Sequence, residues 1–122
     1  MVGALRWMAL GESVRGASHE IKKLPNQDAI RRHNPAGKDD FLIMAIADGH
    51  GSTRSFRSER GSAMAAECAV QVIGDFVKRI GSDAPLSLVR RQARMRWPVA
   101  IVSAWKRAVR ADLAQTPFSP ID

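Results

Sequence analysis

Phe41-Leu42-Ile43-Met44-Ala45-Ile46-Ala47-Asp48-Gly49-His50-Gly51 is the stretch on which the reading of this sequence turns. Seven apolar residues run without polar alternation, which predicts a strand buried on both faces, and the run stops at an aspartate in a Gly-His-Gly turn. A carboxylate at the mouth of an apolar layer needs partners, because an unpaired charge there is costly. A cation would satisfy it. Glycines on either side of His50 allow a tight turn and let a backbone carbonyl approach that cation. Asp-Gly pairs also make ordinary tight turns, so these four residues alone leave a structural reading open.

Upstream, Asp28 to His33 is short enough for a strand, and Asn34-Pro35-Ala36-Gly37 signals a turn, so a hairpin is expected between it and the Phe41 strand. Leu5 to Val14 is rich in strand-forming residues and reads as an earlier strand, with Gly16-Ala17-Ser18-His19 as a turn or loop. Downstream the period changes. Met64, Cys68 or Ala69, Val72, Ile73, Phe76, Val77 and Ile80 recur at helical spacing, which predicts a helix over 58–80 with Ser58 or Ser62 as its cap and Gly81 at its end. Leu86 to Arg96 reads as a short basic helix. After it Pro98 starts another, on which Val99, Val102, Trp105, Val109 and Leu113 step along one side and leave Lys106, Arg107 and Arg110 to water. Thr116-Pro117-Phe118-Ser119-Pro120 lacks periodicity and reads as a linker.

Composition sets the frame for these elements. The chain has 122 residues, 45% hydrophobic and 25% charged, the size and balance of one globular domain. The longest apolar run is far short of the ~20 residues that cross a bilayer, and no targeting signal is visible, so a cytoplasmic protein with no membrane partner is expected. The single Cys68 excludes an internal disulfide framework and reads as a small buried apolar residue. The formal charge of +7 raises nucleic acid as a partner. Residues 78–122 hold nine Lys/Arg against three Asp/Glu, whereas residues 1–77 hold ten against nine. No aromatic residue alternates with the C-terminal cations, so a solvated helix face is the simpler account and nucleic acid is set second.

The order GASHEIKKLPNQDA, hairpin, FLIMAIADGHGS, serine-containing loop and Ala-rich helix resembles the opening of the metal-dependent protein phosphatases, the type 2C enzymes, in their bacterial form. The core of the resemblance spans residues 11–80, and a basic helical segment, 86–114, follows it. It implies an α/β (α+β) fold, here an incomplete four-layer α-β-β-α sandwich with N-terminal strands followed by two or three helices, and residues 1–122 as the N-terminal part of such a domain. The implied reaction is hydrolysis of phosphoserine or phosphothreonine on a protein substrate, and a cognate kinase would be a natural partner. Two Mg2+ or Mn2+ ions are the implied cofactors.

By the same resemblance Asp48 is a bridging metal ligand, Gly49 a carbonyl donor, Asp28 the acidic residue that holds metal-bound water and His50 the general acid. Gln27 stands where the family often has a metal-binding Glu, and Lys23 where it often has a phosphate-gripping Arg. Lys23, Lys22, Arg15 and His19 are all candidates for substrate phosphate. The family completes its metal centre with later aspartates in Asp-Gly and Asp-Asn contexts, which have no counterpart among Glu59, Glu67, Asp75, Asp83, Asp112 and Asp122. The expectation is a shortened phosphatase of reduced or no activity as this chain alone. A catalytically inactive phosphoprotein-binding module, and a basic nucleic-acid-associated protein using Arg90, Arg91, Arg94 and Arg96, are the alternatives.

Overall fold

The structure is a computed structural model and describes residues 7–34, 41–81 and 83–119. Strands β1 (Ala29–His33) and β2 (Ile43–Ala47) pair antiparallel, with Ala29 opposite Ala47 and His33 opposite Ile43. A short helix, α1 (Ala17–Ile21), precedes them. After β2 a single 3-10 turn (Thr53–Ser55) leads into α2 (Ser58–Ile80), α3 (Leu86–Met95) and α4 (Trp97–Gln115). This is a mixed α+β arrangement with three helices after the strands. Among the described residues it has one two-stranded sheet and a helical layer, not four layers.

Alternation along β2 decides what the sheet covers. Ile43 is buried and Ala45 half-buried toward α2, where Val70, Phe76 and Val77 complete a core joined by Ile73, Leu88, Val89 and Trp97. The rings of Phe76 and Trp97 meet edge to face with centroids 5.4 Å apart, a geometry that adds to the burial of both. On the other face Met44 and Ile46 are 50% and 74% exposed. The expectation of a strand buried on both faces is therefore corrected: side chains alternate across a strand, and α2 lies against one side only.

The same face explains a second correction. Trp7 to Val14 form neither helix nor strand, and the rest of the expected Leu5–Val14 strand lies outside the described residues. This segment meets the outer face of the hairpin through Gly11, whose carbonyl accepts a hydrogen bond from Arg32 at 3.2 Å. Among the described residues the segment joins no backbone ladder. The turn expected over Asn34-Pro35-Ala36-Gly37 lies beyond the described residues after Asn34. Gly16 to His19, expected as a loop, leads into α1 instead.

Helix α2 has the span that its apolar period predicts, and Gly81 follows it with φ 74°, a conformation that suits a residue without Cβ. Neither serine caps it. Arg57 occupies the cap position but its side chain makes no capping hydrogen bond, and the Ser58 and Ser62 hydroxyls reach other segments. Helix α4 packs along α2 through Trp105, whose indole N–H donates to the Gly61 carbonyl at 2.9 Å, and through an Arg60–Asp112 ion pair. Trp105, Val109 and Leu113 line a groove shared with Gly61 and Met64 of α2, but Val99 and Val102 are exposed like Lys106 and Arg110. The single apolar side expected for this helix is split between two faces. Thr116 to Ser119 also depart from a free linker: Arg57 donates to the Thr116 and Pro117 carbonyls, and its guanidinium lies 4.7 Å from the Phe118 ring centroid. No described helix is long and apolar enough to cross a membrane.

Candidate functional site

The Asp48-Gly49-His50-Gly51 turn leaves the end of β2 directly beside the start of β1, because Ala47 pairs with Ala29. That register brings Asp28 to the turn. Its carboxylate oxygen Oδ1 accepts the Gly49 N–H at 3.2 Å, so residues 20 positions apart in sequence from Asp48 form one exposed corner with it. Asp28 is itself shaped locally, since its N–H donates to the Asn26 side chain at 3.2 Å, an Asx turn that fixes the strand entry. Ser13 donates to the Asp28 carbonyl at 3.3 Å and accepts from Asn26 at 2.8 Å. Carboxylate and backbone are thus held from both sides.

Gly49 earns its place by close approach rather than by φ. A Cβ there would stand 2.2 Å from the Gln27 carbonyl oxygen, and among described glycines only Gly81 has a positive φ. Helix α2 braces the turn from below: Ser58 donates to the His50 carbonyl at 2.7 Å, and Ser62 donates to the Gln27 carbonyl. Asp48, Gly49 and His50 line a cleft of about 230 Å³ together with Ser55, Ser58, Ser62 and Trp105. Asp48 and His50 are exposed, so their groups are available to something entering that cleft.

The other expected site residues fall elsewhere. Gln27 is buried, with Oε1 3.3 Å from His19 Nε2, so His19 is engaged with Gln27. Lys23 closes α1 in the left-handed region at φ 55°, its N–H donating to the Glu20 carbonyl, and its side chain is exposed, as are those of Lys22 and Arg15. The structure brings together Asp28, Asp48, Gly49 and His50, with Gln27 and His19 behind them. Sequence reasoning missed Ser58, Ser62, Ser13 and Asn26 as supports. Asn26, two residues before Asp28, carried a readable Asx-turn signal, whereas the serines' partners are set by long-range packing.

The family model described as protein phosphatase 2C matches residues 15–120. This chain belongs to the protein phosphatase 2C family. The match takes in both strands, the Asp48 turn and helices α2 to α4. No curated protein and no solved structure matches the chain.

The family's divalent cations can be weighed against these donors. Asp28, Asp48 and the Gly49 carbonyl offer hard oxygen ligands of the kind Mg2+ and Mn2+ take. They fit in type. Their number is small, since the described residues contain no group of three or more His, Cys, Asp or Glu side chains that could hold a metal ion. Among the described residues the corner supplies two carboxylates and one backbone carbonyl.

Proposed function

We propose that this phosphatase 2C chain contributes the first corner of the metal centre of a protein serine/threonine phosphatase, with Asp48, the Gly49 carbonyl and Asp28 as its donors. The observation that carries this is the Gly49 N–H bond to Asp28 Oδ1, which holds the Asp28 carboxylate against the residue that follows Asp48. Divalent cations bound there would supply positive charge that polarises a phosphoryl oxygen and acidifies water. Asp28 and Asp48 would hold the charge in place. His50, on the same turn, would serve as the general acid that gives a proton to the departing serine or threonine oxygen.

Two carboxylates bind a cation weakly, so the chain alone is expected to turn over a phosphothreonine peptide slowly if at all. The same shortage favours a second reading, a phosphoprotein-binding module without turnover. The discriminating experiment is a phosphothreonine-peptide assay with Mn2+, run beside peptide binding. Turnover that needs Mn2+ and disappears in Asp48→Ala supports the enzyme reading; saturable phosphopeptide binding without turnover supports the module. Turnover that survives Asp48→Ala contradicts the proposed donor set.

A further inference from the structure

Asp28 and Asp48 are exposed, whereas Gln27, between β1 and the first turns of α2, is only 4% exposed. A buried primary amide must satisfy its polar atoms inside the protein. The side-chain oxygen of Gln27 finds a partner on α1, where Oε1 lies 3.3 Å from His19 Nε2. Its backbone does so against α2, where the carbonyl accepts the Ser62 hydroxyl, itself buried. The Gly49 backbone rests on this same peptide: a Cβ at Gly49 would meet the Gln27 carbonyl oxygen at 2.2 Å and its carbonyl carbon and Cβ at 2.9 Å. Because Asp28 is the next residue, seating the Gln27 peptide under Gly49 also sets where the Asp28 carboxylate meets the Gly49 N–H.

We infer that Gln27 is a positioning residue, anchored by Ser62 and His19, that holds Asp28 and Gly49 in register and is not itself a cation ligand. This departs from the role that its place in the family pattern implies. Its Oε1 lies 3.3 Å from His19 Nε2 and 3.4 Å from where a Cβ at Gly51 would stand, so the amide is wedged between His19 and the backbone of the Asp48 turn. The inference rests on the reading of the Asp28–Asp48 corner as cation-binding, but its positioning half can be read without any metal.

The test uses the 15N-labelled 122-residue chain in two measurements. In the first, amide exchange at Gly49 is compared with exchange in the core of α2 for wild type, Ser62→Ala and Ser62→Thr. Releasing the Gln27 carbonyl should speed Gly49 exchange by about tenfold relative to α2, and Thr, which keeps the hydroxyl, should restore it to within about threefold. Unchanged Gly49 exchange in Ser62→Ala overturns the positioning role. In the second, Mn2+ is titrated into wild type and Gln27→Glu. A dissociation constant within about threefold of wild type supports the inference, and tightening beyond that makes position 27 a ligand and overturns it. Should Ser62→Ala fail to fold, the Gln27→Glu titration still decides the ligand question. Absence of any Mn2+ effect at Asp28 and Asp48 in wild type would sink the cation corner itself, leaving the Gly49 exchange result to judge the positioning role.

Discussion

At the scale of the residue, the site depends on what a side chain's absence permits. Gly49 sits against backbone that cannot rotate away, with only 2.2 Å between a would-be Cβ and the Gln27 carbonyl oxygen. Gly49→Ala should therefore destabilise the chain by about 2 kcal/mol, read as a lower urea midpoint, and pull Asp28 off the turn. Lys23 is the opposite case, a side chain held at φ 55° where glycine would be at ease. Lys23→Gly should stabilise by roughly 0.5–1 kcal/mol in the same assay; a loss of stability would mean that the lysine side chain makes a contact that outweighs its backbone strain. Cys68 is buried, and burial raises its thiol above the ordinary value, with Glu67 adding to the effect. Since the folded chain keeps this proton more tightly than the unfolded one, its contribution to stability is present below the unfolded thiol value and is lost as pH rises through the folded one. Iodoacetamide should label native Cys68 much more slowly than the urea-unfolded protein at the same pH.

Much of this residue detail was hidden from the sequence. The strand ending in Asp48 and the turn signal were legible because apolar runs and glycines act locally. The reason for Gly49 was not, because it lies in a peptide 22 positions earlier. Ser58 and Ser62 carried a cap signal that the structure spends on His50 and Gln27, partners that only the folding of α2 onto the hairpin provides.

At the scale of the element, the strongest period gave the clearest result. Helix α2 spans Ser58–Ile80 as its apolar spacing predicts, and β1 and β2 form the expected hairpin. Helix α4 shows where periodicity runs short: Trp105, Val109 and Leu113 lie along the α2 groove, while Val99 and Val102 share the helix's apolar count without being covered. Two tryptophans separate packing from hydrogen bonding. The Trp105 N–H donates to Gly61, whereas the Trp97 indole nitrogen is buried without a partner. Trp105→Phe should therefore cost about 1 kcal/mol more than Trp97→Phe in chemical denaturation, because only the former leaves a hydrogen bond unmade. Equal costs would mean that the Trp105 bond adds nothing to the α2–α4 contact.

At the scale of the whole molecule, the helical layer covers one face of the hairpin and leaves Met44 and Ile46 open on the other. Trp7, Met8, Leu10 and Val14, on the segment that crosses that face at Gly11, are each more than 60% exposed. Exposed apolar side chains in this number favour association. Replacing Met44 and Ile46 together by lysine should lower the concentration-dependent scattering of the purified chain while leaving its helical circular dichroism unchanged. The α+β character was legible because strand and helix periods are local; the four-layer sandwich implied by family likeness was not a property that residues 7–119 display by themselves. The same holds for the proposed metal centre: among the described residues no three His, Cys, Asp or Glu side chains gather where they could hold an ion.

The account's central claim is that Asp28 and Asp48 form one cation-binding corner in a phosphatase 2C chain. Substoichiometric Mn2+ added to the 15N-labelled protein tests it most directly, because a bound paramagnetic ion broadens only nearby amide signals. The account predicts selective loss of the Asp28, Asp48, Gly49 and His50 amides, abolished in Asp48→Asn. Broadening that is spread evenly over the chain, or that persists at these four amides in Asp48→Asn, would contradict it.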